Sequence, residues 1–301
     1  MMKFAAIDIG SNAIRFLNSN VYINGDPMHP LVRKAALYRV PVRLGEDAFR
    51  RGRISKSKCD HLLHTMHAFR HLLQVFEPLD WMACATSAMR EASNGTEIIN
   101  RIYEETGVDI NIIDGGTEAE MICSSTIAER LDSGRPYLYV DIGGGSTEIS
   151  LFRNQKREIS RSFNIGTIRI LEGLVSSQQW KEMANWLQQI TSDCYRLAGI
   201  GSGGNINKIA KMAGRREDAP LSVARLEKTH SAISSLTYEQ RMRKLGLRPD
   251  RADVIVPAGE IILFVMHHCN INKLFVPKVG LSDGIIHHLY YRYTQQVAVS
   301  R

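Results

Sequence analysis

Residues 137–152 read Tyr137-Leu-Tyr-Val-Asp141-Ile-Gly143-Gly144-Gly145-Ser146-Thr147-Glu148-Ile-Ser-Leu-Phe152, and residues 4–17 read Phe4-Ala-Ala-Ile-Asp8-Ile-Gly10-Ser11-Asn12-Ala-Ile-Arg-Phe-Leu17. Each is a run of buried-strand type, then Asp-Ile-Gly, then a tight turn of small residues, then a second strand. Asp8 and Asp141 lie 133 positions apart in a chain of 301 residues, so each half opens with the same unit. A glycine-rich turn lets backbone approach a ligand closely, and successive N–H groups form a concave anion site. An aspartate ending the first strand cannot bind phosphate, but it can hold the Mg²⁺ or the waters that accompany phosphate. Hairpin chemistry alone explains one such turn. Two at half-length spacing point to paired hairpins that grip a phosphate chain from both sides.

The rest of the chain alternates helix and strand. Further β-rich sequence runs through Leu44, and an amphipathic helix spans about Ser55 to Phe76. Strands at Trp81–Ala85 and Asp109–Ile113 are separated by a helix, and another helix starts near Thr117. In the second half an extended segment near Arg157–Phe163 follows the hairpin. Helices then alternate with short strands at Leu197–Ile200 and Leu274–Val276, and a last helix covers about 282–296. Asp-Ser-Gly-Arg-Pro, ending at Pro136, marks a loop. The expected domains are therefore 1–128 and 129–301, with the last helix free to pack back on the first.

Composition is that of a soluble globular protein, 44% hydrophobic and 23% charged. No run approaches the roughly 20 apolar residues of a membrane helix, and Asp8 interrupts the first apolar stretch too early for a signal peptide. A cytoplasmic location and no membrane partner are expected. The five cysteines show no Cys-x-x-Cys pair and read as reduced core thiols. A net charge of +7 favours polyanions without choosing among them. The densest basic clusters, Arg50-Arg51-Gly52-Arg53 and Arg241 to Lys244, read as solvated faces, so no specific nucleic-acid partner is expected.

Three more segments carry possible chemistry. Thr86 or Ser87 can cap a helix after the strand ending at Ala85, which with Arg90 makes an anion site. Thr117 is a plausible cap for the next helix; Glu118 and Glu120 rotate to different sides, so at most one faces a ligand. A carboxylate beside phosphate is unfavourable unless it orients or deprotonates water. Asp141 and Glu148 around the second turn make a credible Mg²⁺ site. Gly199-Ile-Gly201-Ser-Gly203-Gly204 lacks the acidic residue of a dinucleotide fold and reads as a third backbone-amide loop. His64, His67 and His71 share the polar face of their helix, opposite Leu62, Met66, Phe69 and Leu73, and are not read as metal ligands.

Taken together, Asp8-Ile-Gly-Ser-Asn12, Arg43-Leu-Gly-Glu46, Ala85-Thr-Ser-Ala-x-Arg90-Glu-Ala92, Glu118-Ala119, Asp141-Ile-Gly-Gly-Gly-Ser-Thr-Glu148, Gly201-Ser-Gly-Gly204 and Arg251-Ala-Asp253-Val-Ile-Val-Pro257 resemble, in order, the motifs of the exopolyphosphatase / guanosine pentaphosphatase (Ppx/GppA) family. The resemblance covers residue 4 to about 290. It implies an α/β, actin-like (ribonuclease H-like) superfold of two similar domains, with the active site in the cleft between them. It also implies release of terminal phosphate from inorganic polyphosphate or guanosine pentaphosphate (pppGpp), with Mg²⁺ or Mn²⁺. By resemblance Glu118 is the water-activating residue, and Asp141 and Glu148, joined by Asp8, are the metal carboxylates. Gly10, Ser11, Asn12, Gly143, Gly144, Gly145 and Ser146 cradle phosphate with Arg90, and Gly201, Gly203 and Gly204 add the third loop.

The chain departs from the family in places. Many members have two glutamates where this one has Thr117-Glu118, which leaves one candidate base. Many carry an arginine near Leu281-Ser-Asp-Gly284, which is lacking here. Long members have a further C-terminal helical region thought to hold long polymers, and its absence counts against processive digestion. A small-molecule kinase of the same superfold and a non-catalytic alarmone sensor are the competing readings, and a homodimer is kept open.

Overall fold

Phe4, Ala5, Ala6, Ile7 and Ile9 are all buried, and with them the chain opens on a strand covered on both faces, β1 (Met2–Ile9). There follow β2 (Ile14–Asn24), β3 (Asp26–Val40), α1 (Leu44–Arg51), α2 (Lys56–Phe76), β4 (Asp80–Ala85), α3 (Ser87–Glu91), α4 (Gly95–Thr106), β5 (Ile110–Ile112) and α5 (Gly115–Ser124). The second series is β6 (Tyr137–Ile142), β7 (Thr147–Arg153), β8 (Lys156–Phe163), α6 (Thr167–Leu171), α7 (Ser177–Thr191), β9 (Ala198–Ser202), α8 (Gly204–Met212), β10 (Leu221–Ser222), α9 (Val223–Ser234), α10 (Tyr238–Leu245), α11 (Pro249–Ala252), α12 (Ile255–His268), β11 (Lys273–Phe275) and finally α13 (Leu281–Val299). This computed structural model describes residues 1–124, 132, 134–214 and 219–299. Most of the expected domain boundary falls outside that set. The chain divides into unit one, Met1–Thr126 with Val279–Arg301, and unit two, Ile127–Lys278.

The two units repeat one topology. Unit one carries the order β3-β2-β1-β4-β5, and unit two carries β8-β7-β6-β9-β11 with β10 added at the edge. In each, the first three strands form an antiparallel meander, and the later two run parallel to the first. This is the α/β, ribonuclease H-like arrangement of the actin-like superfold, made twice. The hairpin repeat read from sequence is the first turn of each sheet.

Helices cover the sheets by their apolar stripes. Leu62, Met66, Phe69 and Leu73 of α2 are buried with Ile7, Ile9, Ile14 and Phe16 of the sheet. His64 and His71 are exposed and His67 is half-buried, 3.8 Å from Glu105, as the amphipathic pattern predicts. In unit two the most apolar run of the sequence becomes α12, a core helix burying Ile255, Ala258, Ile261, Ile262 and Val265. The four cysteines whose side chains are described are free thiols. No helix of the described residues is long and apolar enough to cross a membrane.

Helix α13 packs on β1, β4 and α5 of unit one, and its Tyr290 and Tyr293 meet Phe4 edge-on at ring distances of 6.4 and 6.0 Å. His287 on this helix is buried, its Nδ1 has no hydrogen-bond partner among the described residues, and burial pushes its pKa below 6.5, against a smaller upward pull from Asp283. Because the unfolded chain takes up this proton more readily, the contribution of His287 is complete above its unfolded pKa and is lost as pH falls. The urea midpoint is expected to drop between about pH 7.5 and about pH 5.5, and His287→Gln should flatten that drop. Parallel pH profiles of the two proteins check it.

Candidate active site

The two turns share their backbone wiring. The Gly10 amide donates to the Ala13 carbonyl at 3.2 Å, and the Gly143 amide donates to that of Ser146 at 3.0 Å. The next carbonyls are engaged by neighbouring elements. Ser11 O accepts from Gly45 N at 2.8 Å and Asn12 O from Arg43 N at 3.1 Å. At the equivalent places Gly144 O accepts from Ile168 N at 2.9 Å and Gly145 O from Arg169 Nε at 2.7 Å. With the carbonyls committed in this way, the N–H edge of each turn is the one suited to an anion. The equivalent of α1 in this wiring is α6, neither of which stands out in the sequence.

Unit one adds side chains around its turn. Ser11 Oγ lies 2.9 Å from Ser87 Oγ, and Thr86 N donates to Ile9 O at 3.2 Å, so the start of α3 is tied beside the turn. Thr86 and Ser87 are buried, and Thr86, the N-cap residue of α3, makes no side-chain cap bond, so the side-chain cap expected there is not formed. Arg90 is not a free surface residue either, since its Nη1 donates to Ile113 O at 2.6 Å. Asp114, not Thr117, caps α5: its Oδ1 accepts from Thr117 N at 2.7 Å. That backbone bond and a side-chain bond from Thr117 hold the Asp114 carboxyl below its ordinary range. The helix thus begins at Gly115, which puts Glu118 in its first turn. Glu118 is half-buried and Glu120 exposed. The Cys84 thiol is pushed up to about 12, first by burial and then by the negative charges of Asp8 and Glu118, which marks these two carboxylates as neighbours of the same buried position.

The cross-strand partners of the two aspartates differ. Asp8 faces Arg15 across β1 and β2, and the guanidinium Nη1 sits 2.6 Å from Asp8 Oδ2. Ser282 Oγ, at the start of α13, donates to the same oxygen at 3.5 Å. In unit two, Asp141 faces Glu148 across β6 and β7. Glu148 is only 1% exposed, and its Oε1 accepts from Ser162 Oγ at 2.8 Å. Opposed like charges destabilise a strand pair.

The description of the family model that matches residues 25–292 is "Ppx/GppA phosphatase family". The chain belongs to that family. Among curated relatives, exopolyphosphatase 1 of Mycobacterium leprae is 26% identical over 305 residues, covering 95% of this chain and 88% of that protein. Among solved structures, an exopolyphosphatase from Cytophaga hutchinsonii superposes with a TM-score of 0.82 at 24% identity, covering 96% of this chain and 98% of that one. The Aquifex aeolicus Ppx/GppA family member gives 0.75 at 22%, covering 97% and 98%. At these identities the structures speak for the fold alone.

The donor set of unit two fits a hard divalent cation. Two carboxylates on adjacent strands, one of them buried, are hard oxygen donors with negative charge, the kind of group that Mg²⁺ or Mn²⁺ takes. In this family member Asp8 is differently placed, because its Oδ2 is engaged by Arg15. The glycine loop of unit two also divides. Gly201 lies within β9, where a Cβ would come within 3.0 Å of Ile206 and 3.3 Å of Leu274, so its lack of a side chain serves packing. Gly203 has φ 106° and a Cβ on it would meet Ile142 O at 2.7 Å, so the turn proper is Gly203-Gly204.

Gly166 supports the second turn from behind. A Cβ there would lie 2.4 Å from Gly144 O, and the backbone cannot retreat without breaking the Thr167–Gly143 and Ile168–Gly144 bonds. Gly166→Ala is expected to destabilise the protein by roughly 1–3 kcal/mol, the cost of overpacking, and to weaken phosphate binding with it. Urea unfolding and inhibition by inorganic phosphate measure the two effects.

Proposed function

We propose that this chain is a phosphohydrolase that releases terminal phosphate from inorganic polyphosphate or from pppGpp, with Mg²⁺ or Mn²⁺ as cofactor. The observation that carries this reading is the unlike pairing within a repeated turn: Asp8 with Arg15 in one copy, Asp141 with buried Glu148 in the other. A doubled phosphate turn with a carboxylate pair suits a substrate that arrives as a metal–phosphoanhydride complex. Similarity to the M. leprae exopolyphosphatase 1 supports the same substrate class.

In this reading Glu118 orients the attacking water and takes its proton. The amides of Ser11 and Asn12 and of Gly144 to Ser146, with Gly203 and Gly204, hold non-bridging oxygens, while those of Gly10 and Gly143 close the turns, and Arg90 adds positive charge. Asp141 and Glu148 hold the cation, which when bound supplies charge neutralisation on the phosphates. Transition states of phosphoryl transfer are loose, so positioning and electrostatics carry most of the catalysis. The test is phosphate release from pppGpp and from short and long polyphosphate, with Mg²⁺ and no acceptor. Release from one of them at a rate proportional to enzyme supports the reading. Binding of pppGpp without turnover, or ATP consumption that needs an added acceptor and frees no phosphate, would replace it by a sensor or a kinase.

A further inference from the structure

A surface pocket of about 610 Å³ lies in unit one between the C-terminal end of α1, the first turns of α2, and α4, and it shares no residue with the phosphate turn. Its floor is apolar, formed by Ile54, Ile98 and Ile102, and its rim carries Arg51, Arg53, Lys56 and Arg101 against one carboxylate, Glu97. The basic cluster that reads as a solvated face in the sequence thus lines a cavity. Among the described residues Arg51 and Lys56 have no ion-pair partner, and Arg53 reaches Glu97 only at 3.6 Å. Arg101 is shared with Asp60 at 3.2 Å and Glu105 at 2.8 Å. Three cations therefore converge with little compensation, an arrangement that an anion relieves.

The rim is held in place. The buried Asn94 side chain exchanges two 3.0 Å hydrogen bonds with the Ile54 backbone, and Ser93 N donates to Gly52 O at 2.8 Å. These bonds fix the loop that presents Arg53, Ser55 and Lys56. The volume is that of a small-molecule site, and the mixture of apolar floor and a few convergent charges is what such sites show. A lone phosphate would occupy the rim and leave the floor unused. A ring joined to a di- or triphosphate uses both.

We propose that this pocket binds a nucleoside di- or triphosphate, with the base on the isoleucine floor and the phosphates against Arg51, Arg53 and Lys56. This holds whether or not the protein hydrolyses phosphoanhydrides. The experiment is calorimetric titration of the full chain with ADP, GDP and pyrophosphate. Saturable binding of at least one nucleotide is expected, with pyrophosphate weaker. Arg51→Glu/Arg53→Glu should weaken it about tenfold or more, and Lys56→Glu alone should weaken it in the same direction. Both variants change exposed side chains, and thermal melts by circular dichroism confirm that they fold. Glu118→Gln and Glu148→Gln should leave this binding unchanged. Retention of binding in the charge-reversed proteins, loss of it in Glu148→Gln, equal affinity for pyrophosphate, or no nucleotide binding at all would each overturn the proposal.

Discussion

Glu118→Gln is expected to lower the rate of phosphate release by about 10²–10⁴, the usual worth of a positioned general base. The amide keeps the size of the side chain and its place in the first turn of α5, but it cannot accept the proton of the attacking water. Since Asp114 rather than residue 118 caps the helix, the substitution leaves the helix start intact. It also removes a negative charge from the neighbourhood of Asp8 and Cys84, so the Cys84 thiol should titrate lower in the variant while unfolding stability is kept. A rate loss with unchanged substrate affinity and unchanged melting is the expected result. Full activity of Glu118→Gln would sink the role given to it. The exposed Glu120 serves as the control, and Glu120→Gln should retain the wild-type rate.

The repeat was legible because strand, Asp-Ile-Gly and turn keep their spacing in both halves, and equal turns impose equal register. The same register contains the contrast between Arg15 and Glu148, since a four-residue turn pairs the second position after it with the aspartate two positions before it. That partner could have been read from the alignment of the two halves, and Arg15 is the functional neighbour that reading the motifs alone missed. Other features had no local signal. The cap of α5 is Asp114 because an aspartate preceding two glycines offers an oxygen in the right place, which competes with Thr117 in any pattern of cap residues. Gly201 looks like part of a loop from its neighbours, but β9 runs through it and Leu274, distant in sequence, needs the space. Ser282 reaches Asp8 only because α13 returns to the sheet of unit one after unit two has been completed. Arg169 and α6 are set by the shape of the turn they support, not by any periodicity of their own.

Glu148→Gln tests the other half of the assignment, and its effect should depend on metal. At saturating Mg²⁺ part of the activity returns, because Asp141 remains as a ligand; at limiting Mg²⁺ the loss is larger. The apparent affinity for Mg²⁺ should fall by at least about 10–100-fold, the range seen even for outer-shell partners of metal ligands. Glu148→Arg should go further. It would place in unit two the pairing that Asp8 and Arg15 make in unit one, with a guanidinium standing where the cation is proposed to sit. Activity should then be lost at every Mg²⁺ concentration. Fold stability should not suffer in proportion, because a mutual ion pair replaces two opposed carboxylates of which one is buried. If Glu148→Gln instead slowed release equally at all metal concentrations, Glu148 would be acting through the turn or the substrate, and the cation would have to be held without it. Titration of phosphate release against Mg²⁺ for the three proteins, with melting curves taken with and without metal, separates these outcomes. Metal should raise the melting temperature of the native protein and leave that of Glu148→Arg unmoved, because only a folded state that binds the ion gains from it.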